Sequence, residues 1–232
     1  TAEKIYTFDI EPDTVLNNEE LITVSLPALR VLDEAGNSNT AADFSVNYDS
    51  KRPTVTITSA ESDPTNADPI PVTLTFDEPV TDLELADFDV TNGTADNLVS
   101  ITDEVYTVEI EPDGNGQVTV SLPIGAAADL AGNISIKSST FEIGYDGTPP
   151  TVESMILWST PDTSPLRIRI SFSEKVYGFM TGDLDITNGS VDRIEIVDPT
   201  GTLFDVIVTP HSNGDVVLVV PASAVTDAAG NL

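Results

Sequence analysis

The chain contains no cysteine. Disulfides cannot staple it, and neither a zinc–thiolate centre nor a cysteine nucleophile can be built. Basic residues are scarce: nine Lys and Arg stand against 39 Asp and Glu, a formal net charge of −30. Such a chain repels phosphate backbones and anionic lipid, which speaks against nucleic acid and acidic membrane surfaces as partners. The single histidine, His211, falls in an expected turn, so no nucleophilic triad can be assembled around it. No run of about 18 apolar residues occurs, so nothing here reads as a membrane span. The start at Thr1 carries no signal-peptide pattern. Aromatics are few, and only Trp158, Tyr177 and Phe179 cluster in sequence.

What the chain does have is repetition. Tyr48-Asp49-Ser50 and Tyr145-Asp146-Gly147 lie about 97 residues apart, each leading into a proline-containing segment, Pro53-Thr54-Val55 and Pro150-Thr151-Val152. Val72 to Glu78 matches Ile168 to Glu174, and Asp87 to Gly93 matches Asp183 to Gly189. Three motifs recur three times. Tyr6 to Pro12 returns as Tyr106 to Pro112 and Phe204 to Pro210. Val24 to Pro27 returns as Val120 to Pro123 and, more loosely, as Leu218 to Pro221. Asp33-Glu34-Ala35-Gly36-Asn37 returns at Asp129 to Asn133 and Asp227 to Asn231. The phase is uneven. Residues 1–49 read as the C-terminal half of a repeat, 50–148 as a complete one, and 149–232 as one lacking its last strand. That predicts a segment from inside a longer array. Its unpaired strands are expected to borrow partners, from a neighbouring copy or by packing one partial repeat against another.

Within a repeat, apolar and polar residues alternate. Val72, Leu74 and Phe76 face one way and Thr73 and Thr75 the other; Tyr106, Val108 and Ile110, then Val118, Val120 and Leu122, do the same. A period of two means half-buried antiparallel strands. About seven fit in the complete repeat, near 54–59, 71–76, 88–92, 97–101, 106–111, 117–122 and 140–145. Asn92-Gly93 and Asp113 to Gly116 read as hairpin turns, because Asn, Asp and Gly tolerate positive φ. Seven short strands punctuated by turns in this length predict an all-β chain of tandem Ig-like β-sandwich domains. The expected core holds Val72, Leu74, Phe76, Phe88, Val90, Tyr106, Val108, Ile110, Val120 and Leu122.

The order Phe-Asp/Ser-Glu, Asp-(Phe/Leu)-Asp-(Val/Ile)-Thr-Asn-Gly, a Tyr-Thr-Val strand, Asp-x-Ala-Gly-Asn and Tyr-Asp-Gly-Thr-Pro-Pro resembles the bacterial Ig-like tandem repeats of large surface adhesins. The resemblance covers nearly the whole chain. It implies a non-catalytic, rod-like stalk segment at the bacterial cell surface. Its partners would be neighbouring repeats of the same chain and, through a distant tip domain, a host or surface ligand; calcium would stiffen the junctions. The sequence departs from that pattern at Ser50-Lys51-Arg52, which stands where the other linker has Gly147-Thr148-Pro149 and sets two cations beside an expected cation site. A second reading is an accessory module of a secreted multidomain enzyme, binding glycan through an exposed aromatic patch near Trp158.

The acidic loops carry the sharpest expectation. Loops of a seven-strand sandwich alternate between its two ends. The second-to-third, fourth-to-fifth and sixth-to-seventh connections share the end where the chain comes in. That gathers Glu78, Asp82 and Asp87, then Asp103 and Glu104, then Asp129 and Asn133, around Asp49. In the last repeat it gathers Glu174, Asp183, Asp227 and Asn231 around Asp146. Two carboxylates about 5 Å apart repel by roughly 0.8 kcal/mol even in bulk water. A hard cation such as calcium, with six to eight oxygen ligands, suits such a set. An EF-hand does not: the Asp183–Gly189 run lacks glycine at the sixth loop position, and Ile194 stands at the twelfth. Gly147 is expected to let the chain bend just after Asp146.

Overall fold

A computed structural model describes residues 5–12, 19–160 and 162–232. It is built almost wholly of strands. β1 (Glu19–Leu26) and β2 (Ala42–Asp49) form an antiparallel hairpin, with Glu19 opposite Asp49. The middle module follows: β3 (Val55–Thr58), β4 (Ile70–Phe76), β5 (Val80–Thr81), β6 (Asp89–Thr91), β7 (Gly93–Ser100), β8 (Val105–Pro112), β9 (Gly116–Ser121), β10 (Ala128–Asp129) and β11 (Phe141–Tyr145). The last module comprises β12 (Val152–Leu157), β13 (Leu166–Phe172), β14 (Asp185–Thr187), β15 (Gly189–Ile196), β16 (Leu203–Pro210) and β17 (Val217–Val219). One turn of 3₁₀ helix precedes β6, at Leu85–Asp87, and another precedes β14, at Thr181–Asp183.

The middle module is a sandwich of a four-stranded sheet, β3-β4-β8-β7, and a three-stranded sheet, β11-β9-β6; β5 and β10 pair with each other at the rim. That four-plus-three arrangement is the constant-type Ig sandwich. Its interior is made by the alternation along each strand. Ile70, Val72, Leu74 and Phe76 of β4 are buried, whereas Thr75 is exposed. Tyr106, Val108 and Ile110 face them from β8, and Val118, Val120 and Leu122 complete the core from the other sheet. Phe88 and Val90 pack on it half-buried. Burying one Leu or Ile side chain contributes about 1.5–3 kcal/mol, so this cluster holds the module shut without covalent help. Tyr106 meets Phe76 edge-on and donates its hydroxyl proton to the Val80 carbonyl oxygen at 2.9 Å.

Neither expected hairpin turn joins a hairpin. β6 lies in the three-stranded sheet and β7 in the other, so Asn92-Gly93 carries the chain across the sandwich; Asp113 to Gly116 carries it back between β8 and β9. The turn chemistry is real: Asn92 has φ +55° and Gly116 φ +136°. A Cβ on Gly93 would lie 2.8 Å from the Glu111 carbonyl oxygen, which explains the glycine. The two crossings are tied together, since the Asn92 side-chain amide donates to the Gly114 carbonyl at 2.9 Å. Positive φ marks a sharp turn, and long-range packing decides which strands pair.

The last module repeats the four-stranded sheet, β12-β13-β16-β15, but opposes it with only β14-β17 among the described residues. Beside β17 an open groove is lined by Met155, Leu157, Leu166, Ile168, Val216 and Leu218. At the other end, β1 and β2 pair only with each other, and Leu21, Phe44 and Val46 stay exposed. The expectation that the partial repeats pack on one another within the chain is therefore not met among the described residues. The middle sandwich fills its own interior with its own strands.

Candidate metal-binding joints

Two joints link the three pieces: Asp49 to Pro53 and Asp146 to Pro150. Each starts as a strand ends. Asp49 closes β2, and its Oδ1 accepts the Lys51 backbone N–H at 2.9 Å; Asp146 follows β11, and its Oδ1 accepts the Thr148 N–H at 3.1 Å. These are Asx turns, which fix the carboxylate against its own backbone. Gly147 is not among the glycines with left-handed backbone, so the expected bend there is absent. Its lack of a side chain instead admits Tyr145, whose Oη would lie 2.5 Å from an added Cβ.

The Asp-x-Ala-Gly-Asn motif latches each joint. Asp129 Oδ1 accepts the N–H groups of Ala131 and Asn133, and its Oδ2 accepts the Asn133 side-chain amide at 2.8 Å. The same amide group also donates to the Asp49 carbonyl at 3.2 Å. Asp227 and Asn231 repeat this: the Asn231 amide donates to Asp227 Oδ2 at 2.8 Å and to the Asp146 carbonyl at 2.7 Å. The glycine between Asp and Asn needs positive φ, +91° at Gly132 and +96° at Gly230. Sequence separations of 84 and 85 residues between the latch partners show the device to be tertiary.

Carboxylates converge beside each latch. At the first joint, oxygens of Glu19, Asp49 and Glu78 lie within 4.8 Å of one another; at the second, oxygens of Asp146, Glu174 and Asp227 do. Burial pushes the Glu78 carboxyl above its ordinary pKa; Lys51 opposes that shift, and Asp77 and Asp129 add to it. Glu174 is also raised, by burial first and then by Asp227 and Asp146. Asp129 goes the other way: burial would raise it, but the hydrogen bonds from Asn133 hold it low.

Of the expected ligands, Asp49 with Glu78, and Asp146 with Glu174 and Asp227, come together. Asn133 and Asn231 sit at the joints as latch donors. Asp129 lies close enough to Glu78 to influence its titration but stands outside the three-oxygen group. Asp87 and Asp183 stand apart: each turns its carboxylate onto its own helical turn, accepting the backbone N–H of Glu84 at 2.8 Å and of Met180 at 2.7 Å. Sequence reasoning missed Glu19, which the strand register sets opposite Asp49. It also missed Asn115, at the corresponding place in the middle module. The Asn115 amide bonds to Asp146 Oδ1 and, at 2.8 Å, to Thr148 Oγ1.

The aromatic cluster of the last module is split. Phe179 packs edge-on against Phe172 and Phe204. Trp158 is exposed, but the Arg169 guanidinium lies 4.1 Å over its ring, and the Lys175 ammonium covers Tyr177 at 4.9 Å. Among the described residues Phe179 thus belongs to the core, and each of the two exposed rings has a cation over it.

A four-plus-three sandwich, followed through a short linker by a second module with the same four-stranded sheet, defines a class of modular Ig-like proteins. Within that class, this chain belongs to the bacterial Ig-like domain family, whose profile matches residues 49–144 and again 146–232. Searches of curated proteins and of solved structures returned no match. Domains of this family are generally non-catalytic, and they are compatible with a surface-protein spacer or an accessory module. No helix among the described residues is long and apolar enough to cross a membrane.

Proposed function

We propose that this chain is a non-catalytic stalk segment of a bacterial surface adhesin, and that calcium at the second joint fixes the angle between its modules. The observation that carries this reading is the convergence of Asp146, Glu174 and Asp227 within 4.8 Å. These three come from the linker, from the loop after β13 and from the loop after β17. Among the described residues none of them has a basic partner within ion-pair distance. A cation there would bridge the linker to the following module and relieve a repulsion that otherwise pushes them apart. Calcium suits the site better than magnesium, because loop carboxylates and carbonyls deliver oxygens in flexible geometry, whereas magnesium demands a near-ideal octahedron. An affinity of about 10⁻⁴–10⁻³ M, usual for extracellular modules, would leave the joint loose inside the cell and stiff outside it. Families of this type typically occur in extracellular or surface proteins, which supports that placement.

The test is small-angle scattering of the chain in calcium and then in chelator. Calcium is expected to lengthen and narrow the distribution of dimensions, and Asp146→Ala to remove the response. If neither calcium nor the substitution changes the scattering, the acids are a solvated rim and the stiffening idea is wrong.

A further inference from the structure

Beyond Ser50 and Arg52 in the linker itself, which stand where the second joint has Gly147 and Pro149, the two joints differ at three positions around the same carboxylates. Where the second joint has Thr148, the first has Lys51; where the second has Asn115, the first has Glu19; where the second has Ser173, the first has Asp77. The equivalences follow from the structure. Asp49 and Asp146 occupy the same turn. Asp77 Oδ1 accepts the Thr54 N–H at 2.7 Å, as Ser173 Oγ accepts the Thr151 N–H at 2.9 Å. A neutral trio at one joint is thus a charged trio at the other, and its single cation points into the acids. Lys51 Nζ lies 3.1 Å from Asp77 Oδ2 and 3.4 Å from Glu78 Oε1. Glu78 is more than nine-tenths buried, and among the described residues its Oε1 accepts no hydrogen bond. A buried carboxylate oxygen left in that state calls for a cation, and the ammonium is what faces it.

We propose that Lys51 is a tethered cation that holds at the first joint the place a divalent ion holds at the second, so that one chain carries a metal-independent joint followed by a metal-dependent one. The comparison with the second joint rests on the calcium reading given above. An ammonium on a short covalent tether competes at an effective concentration in the millimolar range, comparable to or above the weak affinity that extracellular calcium modules show. Calcium would have to displace it before binding. The added carboxylates fit this role: Asp77 gives the ammonium its closest contact, and Glu19 adds negative charge beside Glu78. An array built this way would keep its first joint straight whatever the calcium level and let only the second respond.

Calcium titration of the 232-residue chain by calorimetry, for the native sequence, Lys51→Thr and Thr148→Lys, tests the stoichiometry. The native chain is expected to take one ion, Lys51→Thr two and Thr148→Lys none. Two ions in the native chain, or one in Lys51→Thr beside one in the native chain, overturn the proposal. No ion in any of the three sinks the calcium reading instead. Whether Lys51 closes its joint is then decided by backbone relaxation of residues 49–53 in chelator, with the melting transition confirming that both modules remain folded. Lys51→Thr is expected to raise the mobility of that stretch clearly above the native level, and equal mobility overturns the proposal with or without calcium.

Discussion

The two joints share a plan and differ in how their charge is balanced. Both begin in an Asx turn, both receive an asparagine latch from the sixth-to-seventh loop, and both bring a buried or half-buried glutamate up to the linker aspartate. The latch is shorter at the second joint, 2.7 Å against 3.2 Å. The first joint adds an ion-paired lysine; the second has none. Among the described residues its three acids form no ion pair, and Asp146 and Asp227 accept hydrogen bonds from neutral groups, among them Asn115 and Asn231. Uncompensated carboxylates beside a strong latch make a joint that is positioned yet strained by its own charge. In the calcium reading proposed above, a cation releases that strain, and charge balance rather than backbone geometry would set which joint responds.

The largest expected effect comes from cutting the latch. Asn231 is buried, and its loss leaves an Asp227 oxygen and the Asp146 carbonyl short of a donor. Stranding buried acceptors costs about 1–3 kcal/mol, so Asn231→Ala should lower the stability of the last module by about 2 kcal/mol. Asn133, half-buried with the longer latch, should cost less. Asn37 makes the same motif contacts to Asp33 in full solvent, and Asn37→Ala should cost under about 0.5 kcal/mol. Urea titration of the three variants gives the ranking. Equal losses at Asn37 and Asn231 would mean that the motif acts only on its own loop.

A smaller effect, of opposite sign at the two joints, should follow from neutralising the glutamates. Glu174→Gln removes a repulsion that nothing cationic offsets, and should stabilise the chain in chelator by about 0.5 kcal/mol while abolishing its response to calcium. Glu78→Gln removes a repulsion too, but it also takes one partner from Lys51, and should be neutral or slightly destabilising. Thermal melts in chelator and in calcium separate these outcomes. A stabilising Glu78→Gln of the same size would show that Lys51 compensates nothing.

How much of this was legible in the sequence follows from what each signal encodes. The alternation of Val72, Leu74 and Phe76 against Thr73 and Thr75 reports burial directly, so the sandwich and its core could be read from it. The Asn-Gly and Asp-Gly-Asn-Gly signals report only local φ. They gave the turns correctly and the strand partners wrongly, because pairing is decided by which faces meet across the sandwich. Asp49, Glu78, Asp146, Glu174 and Asp227 could be placed together from the rule that alternate loops share an end. Asp87 and Asp183 obey the same rule, yet each is captured by a backbone N–H three residues away, a local competition that loop counting does not see. Glu19 was hidden because its place depends on strand register, and the role of Lys51 because it depends on the side chain curling back onto Asp77.

The smallest effect is a pH response that the comparison turns into a sign. Glu174 has a raised pKa in the folded chain, through burial, Asp227 and Asp146. Between that value and its ordinary one the folded chain binds more protons than the unfolded chain, so stability falls as pH rises through this window and rises as pH drops into it. The lowered carboxylates, Asp129 and Asp77 among them, act oppositely but only near and below the ordinary aspartate pKa, so the two windows do not coincide. In chelator, mild acidification from about neutral to about pH 5 should therefore stabilise the last module by about 0.3 kcal/mol, allowing for screening by water. In calcium the direction reverses, because the proton and the ion compete for the same oxygens and the apparent affinity falls on acidification. Glu174→Gln should reduce the slope in chelator and remove its reversal by calcium. Glu78 is raised as well, so the first joint adds a slope of the same sign, one that calcium should leave unchanged because Lys51 rather than an ion faces that carboxyl. Melting curves across that pH range, with and without calcium, read the sign. A chain in chelator that loses stability on mild acidification, or a Glu174→Gln variant that keeps the native slope, would remove Glu174 from the account of the second joint.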